Sequence, residues 1–364
     1  MKRFWFLLFL PLSLSAQDTI LVEGRTFVDT ISGTSYGVTT NRTRPVKFIF
    51  RNNSVTGENT TGYMLEAGQE NTGAYTNNLR GAEITGNKFT WAGDQDANTI
   101  THGVFTGYHT DVRIMYNYLD YVPMGIIRKS NGMTDSTGVV AYNIIRNPPA
   151  VGIVVKGMNG VRIYNNTFYS EDSLYTAPGI GTWRGLIDVY ENDNPFGSAT
   201  GVKIKNNIFY TKNRLTNINV MNESCLEGFE SDYNIFWCEA GEPMFMIGGN
   251  RLTLTQWRAR GYDLHSQVMN PYFINTIDLV PERRMQWGTP TEFKYGIAAS
   301  DYWVVGFDPV LVRQGEYWQQ GARVYEGDIV IFYWRGKLFD GDTTAVDLKY
   351  GKIVINQGEI HIHQ

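Results

Sequence analysis

Several things are scarce in this sequence, and each scarcity excludes something. There are two cysteines, Cys225 and Cys238, in 364 residues. Two cannot form a disulfide framework for a chain this long, so a packed core must hold it. Nothing fixes the separation of their Cα atoms, so a disulfide and two buried thiols both remain open. Charged residues make up only 19%, and the net charge is −4. No basic excess is present to attract nucleic acid. Beyond the N-terminus no segment stays apolar for 18 residues, so no membrane-spanning helix is expected. Apolar patterns of helical period are also absent. What is abundant is Gly (38), Tyr (22) and Phe (19), together with Asn. That mixture favours β-structure with many turns.

The first residues read MKRFWFLLFLPLSLSAQD. Lys2 and Arg3 precede an apolar stretch, Phe4 to Leu14, that is too short to span a bilayer. Small residues at Ser13, Ser15 and Ala16 offer cleavage sites. Residues 1–16 therefore read as a signal peptide, and the mature protein is expected outside the cytoplasm, secreted, periplasmic or extracellular.

A short pattern recurs: apolar-x-apolar-x-x-Asn-x-apolar. It appears as FIFRNNSV, AEITGNKF, VRIMYNYL, GVVAYNII, VRIYNNTF and VKIKNNIF, and more weakly as FESDYNIF. The shared residues are Asn53, Asn87, Asn117, Asn143, Asn166, Asn207 and Asn234, at spacings of 34, 30, 26, 23, 41 and 27 residues. Each copy alternates with period two and reads as a strand. A second strand precedes most copies: HGVFTGY, MGIIRKS, VGIVVKG and GLIDVYEN. The spacing leaves no room for a full helix between strands. Two or three strands per repeat make one coil of a parallel β-helix. Stacked coils bury apolar side chains that no single coil can bury. Stacked Asn amides can bond one another along the axis, as in other cross-strand amide ladders. Most of these asparagines are therefore read as structural.

The expected architecture is all-β: a single-stranded right-handed parallel β-helix over 17–275, an irregular wrap or cap over 276–326, and short terminal strands over 327–364. The strands in 327–364, GDIVIFYWRGKLF and GKIVINQGEIHIHQ, alternate strictly and read as antiparallel, a small sheet or a homo-oligomer contact. One short helix is expected around Thr255–Arg260.

The copies VRIYNNTFY and VKIKNNIFY, with a GI-x-V strand before them, resemble the pectate-lyase-like right-handed β-helix superfamily. The run DYNIFW…LTLTQWRARGYDLHSQVMNPYF is similar to the closing coil of secreted bacterial and phage β-helix proteins. The resemblance covers roughly residues 45–275. It implies a fold more than a function, because the superfamily includes polysaccharide lyases, glycoside hydrolases, esterases, tailspikes and adhesins.

Candidate chemistry follows from aligning the strands before each Asn copy on their first glycine. Gly125–Lys129 then matches Gly152–Lys156. Alternation puts Ile153 and Val155 inward and Val154 and Lys156 outward. Lys129 and Lys156 are expected on one outer face, one coil apart. The next coil adds Asp188, Tyr190 and Glu191, with Trp183 just before them. The preceding coil brings His102, His109 and Asp111. Adjacent ammonium groups suit an acidic sugar, and a lysine that loses its proton readily can act as a general base. Superfamily lyases use Lys or Arg as base beside Ca²⁺ held by acids. The resemblance therefore implies Lys156 or Lys129 as base, Arg128 as carboxylate partner, and Asp188 with Glu191 as Ca²⁺ ligands. Trp183, Tyr190 and His109 are the candidate substrate contacts. No compact acid cluster supports the calcium assignment, and in this register Arg128 matches the inward Val155. Asp188 and Glu191 also admit hydrolysis of a neutral sugar. His265 reads as a structural hydrogen-bonding residue. Two functions remain: an exported protein that binds or cleaves acidic polysaccharide, lyase favoured over hydrolase, or a non-catalytic structural or adhesive module of cell-surface or phage origin.

Overall fold

The computed structural model describes residues 18–28, 31–32, 46–58, 62–67, 81–93, 102–107, 111–129, 138–171, 185–192, 197–299, 311–315, 317–325, 330–339, 345–356 and 359–363, the backbone alone in 31–32 and from 330 onward. The N-terminal stretch read as a signal peptide lies outside them.

Three sheets run the length of the stack, with eight strands in sheet A, nine in sheet B and nine in sheet C. Neighbours within a sheet come from successive coils. In sheet A, Val112–Met115 pairs in parallel with Gly138–Ala141, which pairs in parallel with Val161–Tyr164. Asp18–Glu23 pairs with Val46–Arg51 and begins the stack. The fold is the expected parallel β-helix solenoid.

Alternation explains the core. Phe50, Ile84, Ile114, Val140, Ile163 and Ile204 lie in register on the inner side of sheet A, all fully buried. Sheet B contributes Phe168, Phe209 and Phe236, with ring centroids 4.8 and 5.0 Å apart. Each such side chain contributes roughly 1.5–3 kcal/mol by leaving water. Like residues one coil apart stack in register, which is why the apolar positions repeat.

The corner between sheets A and B carries the asparagine ladder. Asn53 donates its amide to Asn87 at 3.0 Å, and the chain continues through Asn117, Asn143, Asn166 and Asn207 to Asn234 at 2.9–3.1 Å per step. Each amide oxygen also accepts a backbone N–H from the preceding coil, as Asn207 does from Asn166 at 2.8 Å. All seven are buried. The ladder ends on a carboxylate. Asp263 accepts from Asn234 (2.8 Å), Ser231 (2.6 Å), Ser266 (2.5 Å) and the Trp257 indole (2.7 Å). Burial nevertheless holds its carboxyl above the usual carboxylate range. Trp257 belongs to the one α-helix of the described residues, Leu254–Ala259, which opens with a Thr253–Gln256 capping box. His265 stacks on Tyr233 and bonds Asp232, a structural role as expected.

The residue before each ladder asparagine adopts a left-handed conformation. These include Asn165 (φ 54), Asn206 (φ 59), Tyr116 (φ 60) and Tyr142 (φ 53). Asparagine tolerates that conformation; tyrosine does so less easily. The tyrosines are held by the segment after 276. Tyr116 donates to the Tyr295 carbonyl at 2.7 Å, and Tyr142 to the Phe293 carbonyl at 2.8 Å. Asn165 donates to the Gln319 carbonyl and Asn206 to that of Thr289. Leu279 and Ala322 cover Tyr118, Ile144 and Tyr169 on the outside of sheet B. The wrap thus runs along the flank of the stack.

Strands Val330–Phe339, Ala345–Asn356 and Glu359–His363 form the expected antiparallel sheet. Cys225 and Cys238 are buried free thiols. No helix among the described residues is long and apolar enough to cross a membrane.

Candidate functional site on the outer face of sheet C

Sheet C is built from the glycine-led strands. Gly103, Gly125 and Gly152 stack there so tightly that a Cβ on Gly103 or Gly152 would sit 2.5 or 2.7 Å from the carbonyl oxygen of the next coil. This close approach locks the register, and aligning the sequence on these glycines therefore works. Lys129 pairs with Lys156, and Lys156 with Tyr190, in one column. The neighbouring outward column runs Phe105, Ile127, Val154, Asp188, Asn219 and Met246.

The expected juxtaposition of Lys129, Lys156, Tyr190 and Asp188 on one sheet face is present. Successive coils stand about 4.8 Å apart. Lys129 and Lys156 are each half-buried. The Lys156 ammonium lies 5.2 Å from the centre of the Tyr190 ring, a cation–π distance. Tyr190 is itself buried, and Asp188 is wholly so. Glu191 follows the strand and is exposed. Trp183 and His109 lie outside the described residues.

Arg128 does not belong to this face. Its register partners are Thr106 and Val155, both inward. It is fully buried and donates to the Thr106 hydroxyl at 2.7 Å. Its guanidinium fills a slot beside Gly138, where a Cβ would come within 2.7 Å of it. Burial pulls its pKa down to about 9, so it stays protonated at neutral pH. The assignment of Arg128 as carboxylate partner is corrected: period-two alternation takes it into the core and leaves Lys129 outside.

Asp188 is buried on the outer face of sheet C, and Glu191 is exposed beyond the end of its strand. A Ca²⁺ ion takes six to eight oxygens, and among the described residues no three His, Cys, Asp or Glu side chains come together where they could hold a metal.

Sequence reasoning missed Asn219. It follows Asp188 in the outward column, is 1% exposed, and its side-chain oxygen has no hydrogen-bond partner among the described residues. A buried polar atom left unpaired is costly and marks a place where something other than stability shaped the residue. The signal was available in TNINV, where Asn217 and Asn219 flank an inward Ile218, but it needed the register with Asp188.

No family model, curated protein or solved structure matches the chain.

Proposed function

We propose that the protein is an exported β-helix that binds or cleaves acidic polysaccharide along the outer face of sheet C, in the manner of the pectate-lyase-like superfamily its repeats resemble. The observation that carries this reading is the register of Lys129, Lys156 and Tyr190. Two ammonium groups stand in one column and offer charge to carboxylates, one of them resting on the buried Tyr190 ring. Asp188 and Asn219 lie in the adjacent column, buried among Phe105, Ile127 and Val154, beside the half-buried lysines.

In a cleavage reaction one lysine, as its free amine, removes the proton α to a uronate carboxylate. The electron pair forms the new C=C bond, the glycosidic C–O bond to the leaving sugar breaks, and the departing oxygen takes a proton from water. The second lysine, protonated, neutralises the carboxylate. The test is a panel of acidic and neutral polysaccharides followed by the ultraviolet absorbance of unsaturated uronate products, with and without chelator. Product from acidic substrates that disappears in Lys156→Ala supports a lyase. Binding without product supports a binder. No interaction with any acidic glycan overturns the reading.

A second reading, a structural or adhesive module, is favoured by one feature. The sheet of residues 330–363 ends in Val330–Phe339 and Glu359–His363 as edge strands. Exposed edges are templates for strand addition by another chain. Self-association of the intact chain that is lost when residues 327–364 are removed, with no glycan interaction, would favour it.

A further inference from the structure

A groove on the outside of sheet A, about 770 Å³ in volume, lies apart from the sheet C face and is built from residues far apart in sequence. Its floor is an outward column in which Glu83, Arg113, Val139 and Arg162 follow one another coil by coil. At about 4.8 Å per coil this column is about 14 Å long. One wall comes from the wrap, at Glu292 and Phe293, and is fixed there by the Tyr142 hydroxyl donating to the Phe293 carbonyl at 2.8 Å.

The charges in the groove are arranged unequally. Lys47 is paired with Glu83 at 2.6 Å, and Arg162 with Glu292 at 2.5 Å. Arg162 also lies 5.7 Å from the centre of the Phe293 ring. Arg113 stands between these two pairs, exposed, and makes no ion pair among the described residues, while the exposed Asp111 carboxylate also lines the groove beside it. Next to it is Val139, which presents no polar atom. A guanidinium offers a planar fork that matches a carboxylate. Paired carboxylates on either side accept from hydroxyls, and Phe293 offers a face to C–H groups.

The geometry points to this groove as a second glycan-binding site, for a short oligosaccharide with an acidic sugar seated on Arg113. The uronate carboxylate takes both guanidinium N–H donors, and the flanking sugars lie along the floor toward Glu83 and Arg162. The site is independent of the lysine column on sheet C, so either can fail without the other.

The test is titration calorimetry of the full chain with a trimeric oligouronate and with its carboxyl-reduced counterpart. The parent binds the acidic trimer, and reduction of the carboxyls weakens binding about tenfold or more, the scale of one lost charge-assisted contact. In the Lys129→Ala/Lys156→Ala background, where the sheet C column does not contribute, Arg113→Gln produces the same loss with an unchanged melting temperature, and Arg113→Lys retains part of the affinity. The Lys129→Ala/Lys156→Ala variant keeps the Arg113-dependent binding. The proposal is overturned if the parent does not bind the trimer, if the reduced trimer binds equally, if Arg113→Gln added to the lysine variant leaves binding unchanged, or if the lysine variant alone abolishes binding.

Discussion

The A/B corner and the outer face of sheet C are made by the same coils, yet they treat polar groups in opposite ways. At the corner one asparagine recurs in seven coils and every amide is satisfied by the coil above and below. On sheet C the outward column changes character coil by coil, from Phe105 and Ile127 through Val154 to Asp188 and Asn219. A group that repeats and is fully bonded serves the stack. Asn219 breaks the column, and its buried side-chain oxygen has no hydrogen-bond partner among the described residues, so it is a candidate for a role other than stability. Recurrence in this solenoid marks stability, and departure from recurrence marks candidate function.

The comparison breaks most readily at the ladder's end. Asp263→Ala strands four donors and is expected to cost about 3 kcal/mol or more in urea unfolding, each lost buried partner being worth roughly 1 kcal/mol. The pH dependence has a definite sign. Burial raises the folded Asp263 pKa above its unfolded value, so the folded state binds more protons across the window between them, and stability falls as pH rises through it. Relative to Asp263→Ala, the parent should therefore gain stability as pH drops from neutral toward the ordinary carboxylate range. A parent that loses stability relative to the variant over that window would contradict this.

Within the ladder, Asn166→Ala should cost about 1–3 kcal/mol, because it leaves the Asn143 amide and backbone N–H without their acceptor. At the flank, Tyr142→Phe removes the bonds to the Phe293 carbonyl and to Gln314 and should cost about 1 kcal/mol. On sheet C, Asn219→Val places an apolar side chain in a column already holding Val154, and should change stability by less than about 0.5 kcal/mol or raise it. Equal losses at Asn166 and Asn219 would erase the distinction between the two regions.

The fold was legible because its signals are local. Alternation with period two, the recurring asparagine and the leading glycines lie within single strands, and register follows once the glycines are aligned. The same alignment brought Lys129 and Lys156 together and also set Arg128 opposite Val155, so its inward course was readable too. The remaining features depend on contacts that no local pattern encodes. The sheet A groove joins Lys47, Arg113 and Arg162 from separate coils to Glu292 and Phe293 of a wrap whose path along the flank follows from left-handed tyrosines and asparagines. Asp263 looked like one residue of a closing motif; its role as acceptor at the end of the ladder depends on Ser231, Asn234, Ser266 and Trp257 converging in space.

The most direct test of the sheet C account is glycan binding by the Lys129→Ala/Lys156→Ala variant, made and compared with its parent in an Arg113→Gln background so that the sheet A groove does not contribute, and measured with long acidic polysaccharide alongside its melting temperature. Half-exposed lysines add little to stability, so the account predicts a melting temperature like the parent's and binding or turnover reduced about tenfold or more. A variant that melts with the parent and engages acidic polysaccharide as strongly as the parent does would contradict it.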